Sequence, residues 1–229
     1  NRGRLAHLLP TSSANAFNIK TSFAVPLADP PILSVADATI EKRVEGIRGD
    51  ESGRFWAFRV GGLSSDREYS LTLLSGESGD ERRAALCDSW PLRTLPARDA
   101  KPDHLRIGAF TCAGGMSLPI SPSIFEPFKP IAYRRHLFDQ LLAEEPDLVV
   151  ANGDHVYFDL PMSERIQSHA LAPIFGPFIA NAMARFDPSE PVRSPRNERA
   201  LTTVGDDQIA SIYGVRFRST PVFFITDDH

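Results

Sequence analysis

The hydrophobic rhythm of this chain changes across Pro96-Ala97-Arg98-Asp99-Ala100-Lys101-Pro102, and one layer type does not accommodate both rhythms. Upstream, Trp56, Phe58 and Val60 interleave with Phe55, Ala57 and Arg59, while Tyr69, Leu71 and Leu73 interleave with Ser70, Thr72 and Leu74. A period of two belongs to half-buried sheet. Gly61-Gly62 with Ser64-Ser65-Asp66 between these runs, and Ser75-Gly76 after the second, predict a hairpin or meander. Residues 17–27 and 32–40 add shorter runs interrupted by Pro26, Pro30 and Pro31, which suits edge strands because proline donates no ladder bond. Short, evenly spaced strands of this kind predict a small antiparallel sandwich over roughly the first 90 residues.

Downstream, Leu105-Arg106-Ile107-Gly108-Ala109-Phe110 reads as a strand, followed by a loop punctuated by proline over 114–130. Tyr133, Leu137, Phe138, Leu141 and Leu142 recur at helical spacing, and Pro146 marks that helix's end. Leu148-Val149-Val150-Ala151 is a continuous apolar run, as in a strand buried on both faces. Strand, helix and strand make a βαβ unit. Its right-handed crossover puts the loops after Phe110 and Ala151 on one edge of the sheet, where open α/β folds place their ligands. Residues 160–205 are irregular, and their apolar patch at 171–186 reads as packing or as a lid between two ligand loops. Ile209-Ala210-Ser211-Ile212-Tyr213 suggests a helical turn, and Pro221-Val222-Phe223-Phe224-Ile225 a third buried strand. The expected organisation is residues 1–102 as sandwich plus linker and 103–229 as a second domain.

Length and charge narrow the function. The 229 residues suffice for two domains. The formal charge of -4, with no run of Lys or Arg interleaved with aromatics, disfavours a nucleic-acid partner. No apolar run approaches the roughly 18–20 residues of a membrane span, and residues 1–10 lack the apolar segment of a leader. Cys87 and Cys112 are too few for a disulfide framework, so each is read individually. A start on Asn1 and a stop on Thr226-Asp227-Asp228-His229 suggest that both ends are cut or processed.

Three polar clusters terminate the three apolar strands: Thr111-Cys112-Ala113-Gly114-Gly115, Asn152-Gly153-Asp154-His155-Val156-Tyr157 and Asp227-Asp228-His229. Together they bring a thiol, carboxylates, a phenol and imidazoles to one edge, the ligand mixture of a metal site. An aspartate leaving a buried strand is suited to bridge two cations, one per oxygen, and Tyr157 to reach one of them through its phenolate.

Gly153-Asp154-His155-Val156-Tyr157 fits the GDxxY motif of purple-acid-phosphatase-type metallophosphoesterases, and Asp227-Asp228-His229 resembles the DDH variant of their GNH motif. Phe110-Thr111-Cys112 resembles the alkaline phosphatase D (PhoD-like) family, in which a cysteine after the first core strand replaces the usual first aspartate. Trp56-Ala57-Phe58-Arg59-Val60, Tyr69 and Trp90-Pro91-Leu92-Arg93-Thr94-Leu95-Pro96 resemble the Ig/fibronectin-like domain these proteins carry before the catalytic one. The resemblance implies an all-β sandwich followed by an α/β metallophosphoesterase domain, incomplete at its C-terminal side. It implies hydrolysis of a small phosphoester, mono- or diester, by metal-activated hydroxide. Cys112, Asp154 and Tyr157 would bind a ferric ion (Fe3+), Asp154 would bridge to calcium (Ca2+), Asp228 would bind that calcium, and His229 would act beside the phosphoryl group as acid or hydrogen-bond donor. His155 takes a variable position of the motif, and the family's later histidine motifs lie nowhere in these residues, so the implied site is incomplete and the chain alone is expected to be poorly active. The resemblance also implies export, though residues 1–10 hold no such signal.

Other candidates read as ordinary. His155 and Asp159 are expected to support the ligands from behind or to lie at the surface, Asp227 to be structural or to support a ligand, Cys87 to be a structural thiol, and His7, His104, His136 and His169 belong to no constellation. The rival from another class is a noncatalytic binding module with a degenerate phosphatase remnant, which should bind no iron; another binuclear metallohydrolase is the rival enzyme.

Overall fold

The structure, a computed structural model, describes residues 1–76, 84–115, 129–156, 187 and 189–225. Eight strands come first: β1 (Leu5–Ser12), β2 (Ala16–Phe23), β3 (Ile32–Ala36), β4 (Glu41–Glu45), β5 (Ile47–Arg48), β6 (Phe55–Gly61), β7 (Glu68–Leu74) and β8 (Trp90–Arg93). They form two antiparallel sheets, ordered β1-β2-β6-β5 and β4-β3-β7-β8. Register decides which side chains turn inward. Phe17, Ile19 and Thr21 stand opposite Val60, Phe58 and Trp56, while Tyr69 and Leu71 stand opposite Leu92 and Trp90. All are buried, and the apolar ones belong to one cluster drawn from both sheets. Two sheets sharing one core make a sandwich. A slip of one residue in either pairing would turn that apolar set to solvent.

The connectivity departs from the sequence reading at two places. β6 and β7 do not form a hairpin, since β6 pairs with β2 and β5, and β7 with β3 and β8. Their connection buries Leu63, whose amide donates to Asn15 O at 3.0 Å, so the chain crosses between sheets there. Nor are the runs at 17–27 and 32–40 edges: β2 lies between β1 and β6, and β3 between β4 and β7. Pro26, Pro30 and Pro31 fall between the strands, where they remove no ladder bond. Among the described residues proline enters strands only at two true edges, as Pro10 of β1 and Pro91 of β8.

The chain continues through β9 (Ile107–Phe110), α1 (Ile131–Ala143), β10 (Leu148–Asn152), α2 (Pro195–Val204), a π-helical segment (Gly205–Ala210) and β11 (Val222–Ile225). The third sheet is ordered β11-β10-β9. Val149 N donates to Pro221 O and Gly153 N to Ile225 O. Donor and acceptor numbers rise together, so β10 and β11 run parallel. A Cβ on Gly108 would meet Leu141 Cδ1 at 2.9 Å, so the absence of a side chain lets α1 lie close on β9. The apolar stripe of α1 is rotated from expectation: Arg134 and Phe138 are buried, whereas Tyr133 and Leu137 are each 65% exposed. In β10, Val149 and Ala151 are buried but Leu148 and Val150 only partly, short of burial on both faces.

By compactness the chain divides into two units, one of Asn1–Ala109, Phe138–Val150 and Tyr213–Phe223, the other of Phe110–Leu137, Ala151–Ile212 and Phe224–His229. Within the first, the Phe138 ring centroid lies 5.1 Å from that of Tyr213 and 5.0 Å from that of Phe217. Burial there holds the Tyr213 phenol well above its ordinary pKa. Within the second, Ser194 caps α2 by accepting from the Asn197 amide, with Pro195 in the first turn. Buried Asn197 in turn donates to the carbonyls of Asp187, Glu190 and Pro191. The patch at 171–186 and most of the loop at 114–130 lie outside the described residues. Among the described residues no helix is long and apolar enough to cross a membrane.

Candidate functional site

Two strand-end turns of the second unit build the site. The chain leaves β9 through Thr111 and Cys112, and leaves β10 through Gly153 and Asp154. Cys112 has a φ of 55°, Gly153 of 72° and Asp154 of 52°. A left-handed backbone costs a residue with a Cβ roughly 1–2 kcal/mol, and such strain persists only where the surroundings over-determine it. Here they do. Gly114 N donates to Asp154 O at 2.8 Å, and a Cβ on Gly114 would stand 2.7 Å from that oxygen and 2.6 Å from His155 O. Gly115 N donates to Gln208 Oε1 at 2.8 Å. On the carbonyl side of the same turn, Arg134 Nη1 donates to Ala113 O, Gly114 O and Gly115 O at 3.1, 2.9 and 2.9 Å.

These restraints bring Cys112 Sγ to 3.2 Å from Asp154 Oδ2, a contact in which the thiol donates to the carboxylate. Thr111 Oγ1 lies 3.3 Å from the same sulfur. Sulfur at about 2.3 Å and oxygen at about 2.1 Å from one cation stand about 3.1–3.6 Å apart for angles between a right angle and the tetrahedral angle, and never more than about 4.4 Å. The observed spacing therefore suits two donors of one ion, and entry of that ion would release the thiol proton. Cys112 is exposed, so solutes reach it. His155 is engaged by the fold instead, its Nε2 donating to Ala151 O at 2.9 Å and its ring meeting Phe224 edge-on at 4.8 Å.

Tyr157, Asp159, Asp227, Asp228 and His229 lie outside the described residues. Among the described residues no three of His, Cys, Asp and Glu gather as a metal site, and Cys112 with Asp154 is the pair that the turns bring together. Two surface hollows of about 450 and 680 Å³ belong to the first unit and contain neither. The sequence reading missed Arg134 and Gln208. For Arg134 the available signal was its spacing of four from Phe138, which puts both on one helix face; for Gln208 there was none.

No family model and no curated protein matches the chain. Among solved structures, a purple acid phosphatase from yellow lupin (Lupinus luteus) seeds superposes at a TM-score of 0.54 and 13% identity, covering 97% of this chain and 34% of that one. The chain shares the fold of part of a purple acid phosphatase. It spans about a third of that protein's length. The FN5 domain of Drosophila Lar covers 42% of this chain, and 98% of its own is covered, at 17% identity and a TM-score of 0.29.

Proposed function

We propose that the chain is part of a metal-dependent phosphoester hydrolase of the alkaline phosphatase D type. Residues 1–102 form its sandwich and linker, and residues 103–229 belong to an α/β metallophosphoesterase domain. The contact of 3.2 Å between Cys112 Sγ and Asp154 Oδ2 carries this reading, because two turns distant in sequence converge on a donor pair with metal-ligand spacing. The shared fold with a purple acid phosphatase supports it at the level of architecture.

Cys112, Asp154 and Tyr157 would hold ferric iron, and Asp154 with Asp228 would hold a second ion, calcium. When bound, such ions neutralise phosphate oxygens and lower the pKa of water from 15.7 toward about 7. The protein's own task is positional. The Gly114–Asp154 backbone bond holds the turn that carries Asp154, whose carboxylate would supply an oxygen to each of the two ions. By the same resemblance, His229 would donate a hydrogen bond or proton to the leaving oxygen of a small phosphoester.

The test is elemental analysis after exhaustive dialysis, combined with a screen of phosphomonoesters and phosphodiesters. Stoichiometric iron that disappears in Cys112→Ala and Asp154→Asn supports the proposal. Failure of the full protein to take up iron or any substitute metal leaves a noncatalytic module as the better reading.

A further inference from the structure

Arg134 is 7% exposed, and one of its nitrogens, Nη1, donates to three consecutive main-chain carbonyls, those of Ala113, Gly114 and Gly115. Its Nε donates to Lys129 O at 2.8 Å. Three carbonyls turned toward one point repel one another unless hydrogen-bond donors occupy it, and a guanidinium supplies fixed donors together with a permanent positive charge. The turn so gathered begins one residue after Cys112. Its outward amides are also used, Gly114 N by Asp154 O and Gly115 N by Gln208 Oε1. The carbonyl face and the amide face of one short turn are thus both held, and the sulfur emerges from the fixed end.

We infer that Arg134 is a positioning residue for the Cys112–Asp154 pair: its buried guanidinium organises the turn at 113–115 and thereby sets the sulfur against the carboxylate. The inference rests on the metal-centre reading, since positioning matters to function only if the pair binds an ion. Supporting groups of this kind change metal affinity by about 10–100-fold when removed. Truncation also leaves convergent carbonyls without their donor in a buried place, which loosens the turn locally.

Amide hydrogen exchange and iron titration of the full chain, in wild type, Arg134→Ala and Arg134→Lys, test this. In metal-free Arg134→Ala, exchange at Gly114 and Gly115 should rise at least tenfold while Ile19 and Phe58 in the sandwich hold their protection. Iron affinity should fall by about 10–100-fold. Millimolar guanidinium should restore both, and Arg134→Lys should recover part of each, because an ammonium also offers three donors. If Arg134→Ala does not fold, Arg134→Gln takes its place. Unchanged exchange at Gly114, or raised exchange with wild-type iron affinity, overturns the inference. Wild-type chain that binds no iron overturns the metal reading itself, and is recognised because it fails before any variant is compared.

Discussion

The amide of Gly114 donates to the carbonyl of Asp154 at 2.8 Å, so the first turn beyond β9 and the first turn beyond β10 form one hydrogen-bonded piece. Cys112 and Asp154 are therefore neighbours by virtue of the backbone, before their side chains meet. Gly114→Ala tests this dependence. The new methyl group would sit 2.6–2.7 Å from two carbonyl oxygens, and relieving that crowding should cost about 1–3 kcal/mol. Urea midpoints measure the loss, and iron titration of the folded variant should show weaker binding.

Replacing the two proposed donors separates metal binding from stability. Cys112→Ser and Asp154→Asn change few packing contacts, since Cys112 is exposed and Asp154 is only partly buried. Thermal midpoints without metal should stay within a few degrees of wild type, while retained iron falls more than tenfold. A variant that keeps its iron through dialysis removes that residue from the ligand set.

Tyr157 carries an optical prediction. A phenolate on ferric iron absorbs visible light, so Tyr157→Phe should abolish a visible band of the iron-loaded protein and spare its far-ultraviolet circular dichroism. A colourless iron-loaded wild type would falsify the assignment of Tyr157 as ligand.

In the sandwich, Tyr69 is buried and its phenolic oxygen accepts from the Ser64 amide at 2.8 Å. Tyr69→Phe keeps the ring and removes that acceptor, for a loss of about 1 kcal/mol. Phe58→Ala removes a fully buried ring and should cost about 3–5 kcal/mol. The ratio of the two, read from denaturant midpoints, distinguishes the bond from the packing.

Asp37 supplies a pH dependence. The Thr39 amide, then the Thr39 hydroxyl, the Ile40 amide and the Arg67 guanidinium hold its carboxyl below the ordinary value, against an opposing effect of desolvation. A depressed folded-state pKa adds stability that is present above the unfolded-state pKa and is lost as pH falls through the folded-state value. Stability from Asp37 should thus be intact at pH 7 and fade below about pH 4. Asp37→Asn should flatten the acid limb of stability against pH; an unchanged limb would assign that limb to other carboxylates.

Much of the sandwich was legible because period two reports faces directly: Trp56, Phe58, Val60 and Tyr69, Leu71, Leu73 are all buried. Periodicity says nothing about partners, however. The glycines and serines between β6 and β7 look like a hairpin turn, and only the burial of Leu63 shows that the connection crosses the core edge. β1 escaped notice because its burial does not alternate, with Leu8, Leu9 and Pro10 buried in succession. In α1 the apolar residues flank a buried arginine. Arg134 is inside because three carbonyls require a donor, a cause that resides in the neighbouring loop and leaves no hydrophobic trace. The nearness of Cys112 and Asp154 was legible for the opposite reason, since each is a polar residue two positions beyond a strand of one sheet.

The outer edge of β1 has its own consequence for biogenesis. Leu8 N donates to Gly214 O at 2.9 Å, and Val215 packs against the sandwich core. At ribosomal rates of about 5–20 residues per second, Gly214 leaves the peptidyl-transferase centre some 10–40 s after Leu8. For that interval a nascent chain with its sandwich assembled presents an open strand edge to its surroundings, a template for pairing with another nascent copy. Holding factors that recognise unpaired strands would act in this window, and the speed of translation through the residues before Gly214 would set how long they are needed.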